Sequence, residues 1–83
     1  MEGYIFSSHS RDMLRERNIP EEWVWQTIND YEWQDMGADN NAHYFMSIPQ
    51  RGGRFLHVVV NPGVMPKKVV TVFFDRAARR RKR

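Results

Sequence analysis

The sequence contains no cysteine. That excludes disulfide frameworks, thiolate metal sites and cysteine nucleophiles, and it fits a reducing cytoplasm. No apolar run approaches the ~20 residues that a membrane-spanning helix needs, so no membrane partner is expected. No basic-then-apolar N-terminal segment reads as a signal peptide, and the expected location is cytoplasmic. Histidine is scarce: His9, His43 and His57 are the only three. None is paired at the spacing of a helical zinc motif, and neither a metal nor a cofactor is expected. No Gly-x-Ser-x-Gly elbow surrounds Ser7, Ser8 or Ser10. Gly52-Gly53 precedes a strand pattern rather than the helix of a phosphate cradle.

What is present is short. Eighty-three residues make one domain with a modest core. The formal charge of +3 is unevenly placed. Residues 76–83 hold Arg76, Arg79, Arg80, Arg81, Lys82 and Arg83 and no acidic residue. The body, residues 1–75, is therefore mildly acidic, and residues 76–83 form a basic tail. Such a tail suits a polyanion or an acidic protein surface, and equally a solvated end that aids solubility.

Along the chain, Tyr4 to Ser7 reads as a short first strand, and Ser8 or Ser10 as the cap of a helix over 9–18. Met13, Leu14 and Arg17 share one helix face, and Asp12 can pair with Arg15. Asn18 stands where a left-handed cap is expected, with Ile19 tucked under the junction. Pro20 pre-sets a second helix over 20–31, and Glu21 and Glu22 suit its positive end. Val24, Ile28 and Tyr31 should face the sheet, with Trp25 beside them. Trp23 falls off that stripe and either covers the helix junction or meets a partner. A short strand over 32–36, a loop over 35–41, strands over 43–48 and 54–60, and a last strand over 68–74 follow. The continuous apolarity of Val69 to Phe74 places that last strand centrally. The fold class is α+β: a two-helix hairpin on a twisted antiparallel sheet of three to four strands.

Alternation sets Phe55, His57 and Val59 on one side of their strand, and Arg54, Leu56, Val58 and Val60 on the other. The second set reads as core. The first, with Thr71 and Phe73 and with Arg54, Lys67, Lys68 and Arg76 nearby, suits single-stranded RNA held by stacking and phosphate contacts. The same face also suits packing in a homodimer, with Trp23, Trp33 and the loop aromatics. His9 near a helix start and His57 on a strand also have bland roles, as a hydrogen-bonding cap and a packing residue.

The run His9-Ser-Arg-Asp-Met-Leu-Arg-Glu-Arg-Asn-Ile19, followed by Glu22-x-Val24 and ending in Val69-Val-Thr-Val72, resembles a small bacterial domain family of unknown function. That family is similar to the BrnT toxins and, more distantly, to the RelE and ParE toxins. The resemblance covers about residues 4–76. It implies a RelE-like fold and a toxin-like ribonuclease that acts on messenger RNA or the ribosome and is held by an antitoxin-like protein. It points to His9, Arg15, Arg54 and His57 as catalytic. Arg17, Lys67, Lys68, Thr71, Arg76, Arg79, Arg80 and Arg81 become RNA-binding residues. Asn18 stands where that family often has glycine, and Phe73 or Phe74 where it often has tyrosine. A non-catalytic interaction or homodimerising module is the alternative.

Overall fold

The computed structural model describes residues 3–78. Strand β1 (Tyr4–Phe6) leads into helix α1 (Ser8–Glu16) and helix α2 (Glu21–Asp30). Strands β2 (Trp33–Met36), β3 (Ala42–Ile48), β4 (Arg54–Asn61) and β5 (Lys67–Phe74) complete one sheet, with a short 3-10 turn, Pro49–Arg51, between β3 and β4. The spatial order is β1-β5-β4-β3-β2. The α+β class holds, but the sheet has five strands and is mixed. β1 pairs parallel to β5, Tyr4 opposite Lys67, while the other pairings are antiparallel. A parallel partner 63 residues away in sequence leaves no local turn signal, and only packing selects it.

Local chemistry explains the helices. Ser7, not Ser8 or Ser10, caps α1: its hydroxyl accepts from the Ser10 N–H at 3.0 Å and donates to the Val70 carbonyl at 2.9 Å. The cap therefore also ties the helix to the edge of β5, which lies beside α1 beyond the short β1. Asn18 adopts φ 52°, the left-handed stop that ends α1. Pro20, with φ −62° and ψ 139°, is the residue just before α2 rather than its first turn. Ile19 is buried under the junction, and Trp23 is buried with it, covering the junction rather than facing outward.

The main core forms where the helices meet the sheet: Ile19, Trp23, Val24 and Ile28 against Ile48, Leu56, Val58, Val60, Val69 and Val72. Tyr31 is exposed instead, resting against Tyr44. The strand covered on both faces is β4, buried from Phe55 to Val60, and not β5. β5 pairs with β4 along its length but with β1 only along its first residues, and its buried side chains are Val69 and Val72. On the helix-free side, Phe45 and Phe55 form a second cluster with Ala78, and Trp33 stacks on Phe45 at 4.5 Å. That face is thus closed by the chain's own aromatics and by the segment that leaves β5.

Candidate functional site

The hairpin of β3 and β4 turns over residues 49–53 with Ile48 opposite Arg54. That register sets Phe45 opposite His57 and His43 opposite Val59 on the helix-free face. His43 and His57 are diagonal neighbours there, within reach of two long ring side chains. Their nitrogens meet: His43 Nδ1 lies 2.8 Å from His57 Nε2. His57 Nδ1 lies 2.9 Å from Asp75 Oδ2, and His43 Nε2 lies 3.2 Å from Asp39 Oδ1. The result is a continuous chain, Asp39–His43–His57–Asp75.

The inner end is enclosed. The His57 and Asp75 side chains are 9% and 11% exposed, whereas those of His43 and Asp39 are 19% and 49% exposed. Phe45 and Phe73 flank the His57 ring at 4.2 and 4.6 Å between centroids. Asp75 is placed by its backbone, its N–H bonded to the Phe55 carbonyl, while its Oδ1 accepts from the Ala77 N–H. Asp39 is placed by a tight turn in which its carboxylate accepts from the Asn41 backbone and side chain. Those bonds, the Asn41 backbone N–H first and the His43 ring next, hold the Asp39 carboxyl below its usual range. Gly37 leaves the room this requires. A Cβ there would lie 2.6 Å from both Asp39 Oδ1 and His43 Nε2.

Counting protons shows what the chain can do. Ionised carboxylates only accept, so His57 carries a proton on Nδ1 toward Asp75, and His43 carries one on Nε2 toward Asp39. A third proton lies between His43 Nδ1 and His57 Nε2. Filling all three hydrogen bonds takes three ring protons, one more than two neutral imidazoles carry. Beside them is a depression of about 300 Å³ lined by Asp35, Met36, Gly37, His43, Phe45 and His57. That is the lower end of small-molecule sites, about 300–1,000 Å³. Among the described residues no group of three or more metal-type ligands converges.

The sequence-derived residues are not gathered in one place. His57 is in the hydrogen-bonded chain with His43. His9, on α1, has its Nε2 3.1 Å from Thr71 Oγ1, and Thr71 is opposite Val59, which is opposite His43. Two strand spacings, about 10 Å, separate Thr71 from His43 across the sheet. Arg15 lies elsewhere, exposed on α1 and paired with Asp12 at 3.0 Å. Arg17 is the exposed cap residue of the same helix. Arg54 stacks on Phe74 at 4.9 Å and shares a second depression with Arg76. Lys67 lies over the Tyr4 ring, and Lys68 is exposed opposite Ile5. Arg79, Arg80 and Arg81 lie outside the described residues.

The sequence reading missed His43, Asp39 and Asp75 as site residues. A signal for His43 was present, because strands flanking a turn at 49–53 place it on the face of His57. Nothing local marks Asp39 or Asp75, which look like ordinary loop acids.

The chain belongs to a family described as a domain of unknown function, DUF4258, whose model matches residues 6–74. No curated protein and no solved structure matches it.

Proposed function

We propose that this DUF4258 protein acts on RNA as a metal-independent, toxin-like ribonuclease of the RelE/BrnT kind, with the His43–His57 pair as its proton relay. The observation that carries the reading is the unbroken chain Asp39–His43–His57–Asp75 beside an aromatic depression. Its outer bond is the one that can open: Asp39 is half exposed, whereas the His57–Asp75 bond is enclosed. When Asp39 turns out and one ring proton leaves, His43 Nε2 becomes a base facing the depression.

In the proposed step, His43 Nε2 takes the proton of a ribose 2′-hydroxyl. The 2′-oxygen bonds to the adjacent phosphorus and the phosphorus–5′-oxygen bond breaks. The leaving 5′-oxygen takes a proton from the relay, giving a 2′,3′-cyclic phosphate and a 5′-hydroxyl. Asp75 and His57 hold His43 in orientation and stabilise its charge. His9, beside Thr71, and the exposed Lys68 and Arg76 supply contacts for the strand. The test is incubation of purified protein with single-stranded RNA in the presence of EDTA. Cleavage with cyclic-phosphate ends, lost in His43→Ala, supports the reading; intact RNA at all protein concentrations overturns it.

One observation favours a second reading. Asp35 lines the depression, and Asp39 is bonded to His43 in that lining, so two acidic side chains lie in or next to it. That charge suits a basic segment of an antitoxin-like protein, held by a non-catalytic module. Binding of such a segment without cleavage of any RNA would select it.

A further inference from the structure

The relay has a second outlet. Asp75, its inner end, also lines a separate depression of about 310 Å³ with Gly52, Arg54, Phe55 and Arg76. This hollow forms at the end of the sheet, where the β3–β4 turn meets the chain leaving β5. Arg54 and Arg76 are both exposed, and no carboxylate among the described residues pairs with either within ion-pair distance. Arg54 is held by stacking, its Cζ 4.9 Å over the Phe74 ring. Stacking occupies the flat face of a guanidinium and leaves its N–H edge for a ligand. Asp75 is the single acid in the lining, and both its oxygens are engaged, Oδ2 with His57 and Oδ1 with the Ala77 N–H.

We propose that the hollow between Arg54 and Arg76 is a binding subsite for a phosphate group, joined through Asp75 to the His57 end of the relay. Two guanidiniums with open edges suit a tetrahedral oxyanion, which each can meet with two parallel hydrogen bonds. The identity of the natural ligand, a phosphate of the RNA backbone, rests on the reading above. The site itself does not, because any phosphate monoester of suitable size would enter it. A phosphate seated there adds negative charge next to the carboxylate that His57 holds, so its arrival must be felt at the His57 ring.

The experiment is a titration of the full-length protein with uridine 3′-monophosphate and, separately, inorganic phosphate, followed by ring and backbone NMR signals. The expected result is saturable movement of the Arg54, Arg76 and His57 signals, weakened at least tenfold in Arg54→Gln/Arg76→Gln and unchanged in Arg15→Gln. Both replaced residues are exposed, and an unchanged backbone spectrum of the double variant checks its fold. Absence of saturable movement, or equal binding by the double variant, overturns the subsite. The two proposals fail separately. Phosphate binding without RNA cleavage keeps the subsite and removes the ribonuclease. RNA cleavage without saturable phosphate movement at Arg54 and Arg76 removes the subsite and keeps the ribonuclease.

Discussion

His43 Nδ1 and His57 Nε2 lie 2.8 Å apart, and each ring turns its other nitrogen to a carboxylate. A bond between two imidazoles needs one proton, and both outer bonds need their own. The two rings therefore form one hydrogen-bonded unit rather than two independent side chains. That unit is closed at its inner end and open to solvent at its outer end.

His57→Ala removes an enclosed ring from between Phe45, Phe73 and Asp75. It leaves the Asp75 carboxylate without its ring partner and opens a cavity. The expected loss is about 2–4 kcal/mol. His9→Ala, at an exposed position, should change stability by less than about 0.5 kcal/mol. Urea unfolding of the two variants measures the contrast, and equal midpoints would contradict an enclosed His57–Asp75 bond.

Asp39 sets an acid-side dependence. Its carboxyl is held below the usual value by the Asn41 N–H and then by His43. A depressed folded-state value contributes stability that is present above the unfolded value and lost as pH falls through the folded one. Asp39→Asn should therefore flatten stability against pH on the acid side of about 4. Thermal melts across that interval read the difference, and an unaltered slope contradicts it.

Gly37→Ala places a Cβ 2.6 Å from both partners of the Asp39–His43 bond. The half-exposed Asp39 side chain is the part able to give way. The expected result is a fold left intact, an Asp39 carboxyl that titrates closer to an ordinary aspartate, and changed ring signals for His43 with those of His57 less affected. Carboxyl and ring NMR signals followed against pH provide the check.

The cap of α1 offers a test away from the site. Ser7→Ala loses the bond to the Ser10 N–H and the tie to the Val70 carbonyl, and should cost about 1 kcal/mol. Asn18→Gly acts in the opposite direction, since φ 52° suits glycine better than any residue with a Cβ. It should gain about 0.5 kcal/mol. The Arg51 guanidinium bonds the Asn18 backbone carbonyl, which this change keeps. Denaturation midpoints moving in opposite directions for the two variants is the expected pattern.

The sequence by itself determined what depends on near neighbours along the chain. Asn18 and Pro20 stop one helix and start the next, and alternation in β4 sends Leu56, Val58 and Val60 to the helices and His57 to the other face. Periodicity and turn chemistry encode these directly. Only the tertiary structure decided which strands became neighbours and which side chains met. Tyr4 found Lys67, Asp75 returned under His57, and Asp39 reached around to His43. Those contacts depend on register, on the length of each side chain and on how the chain turns after β5. Burial of the whole core fixes all three at once, and no local stretch of sequence carries them.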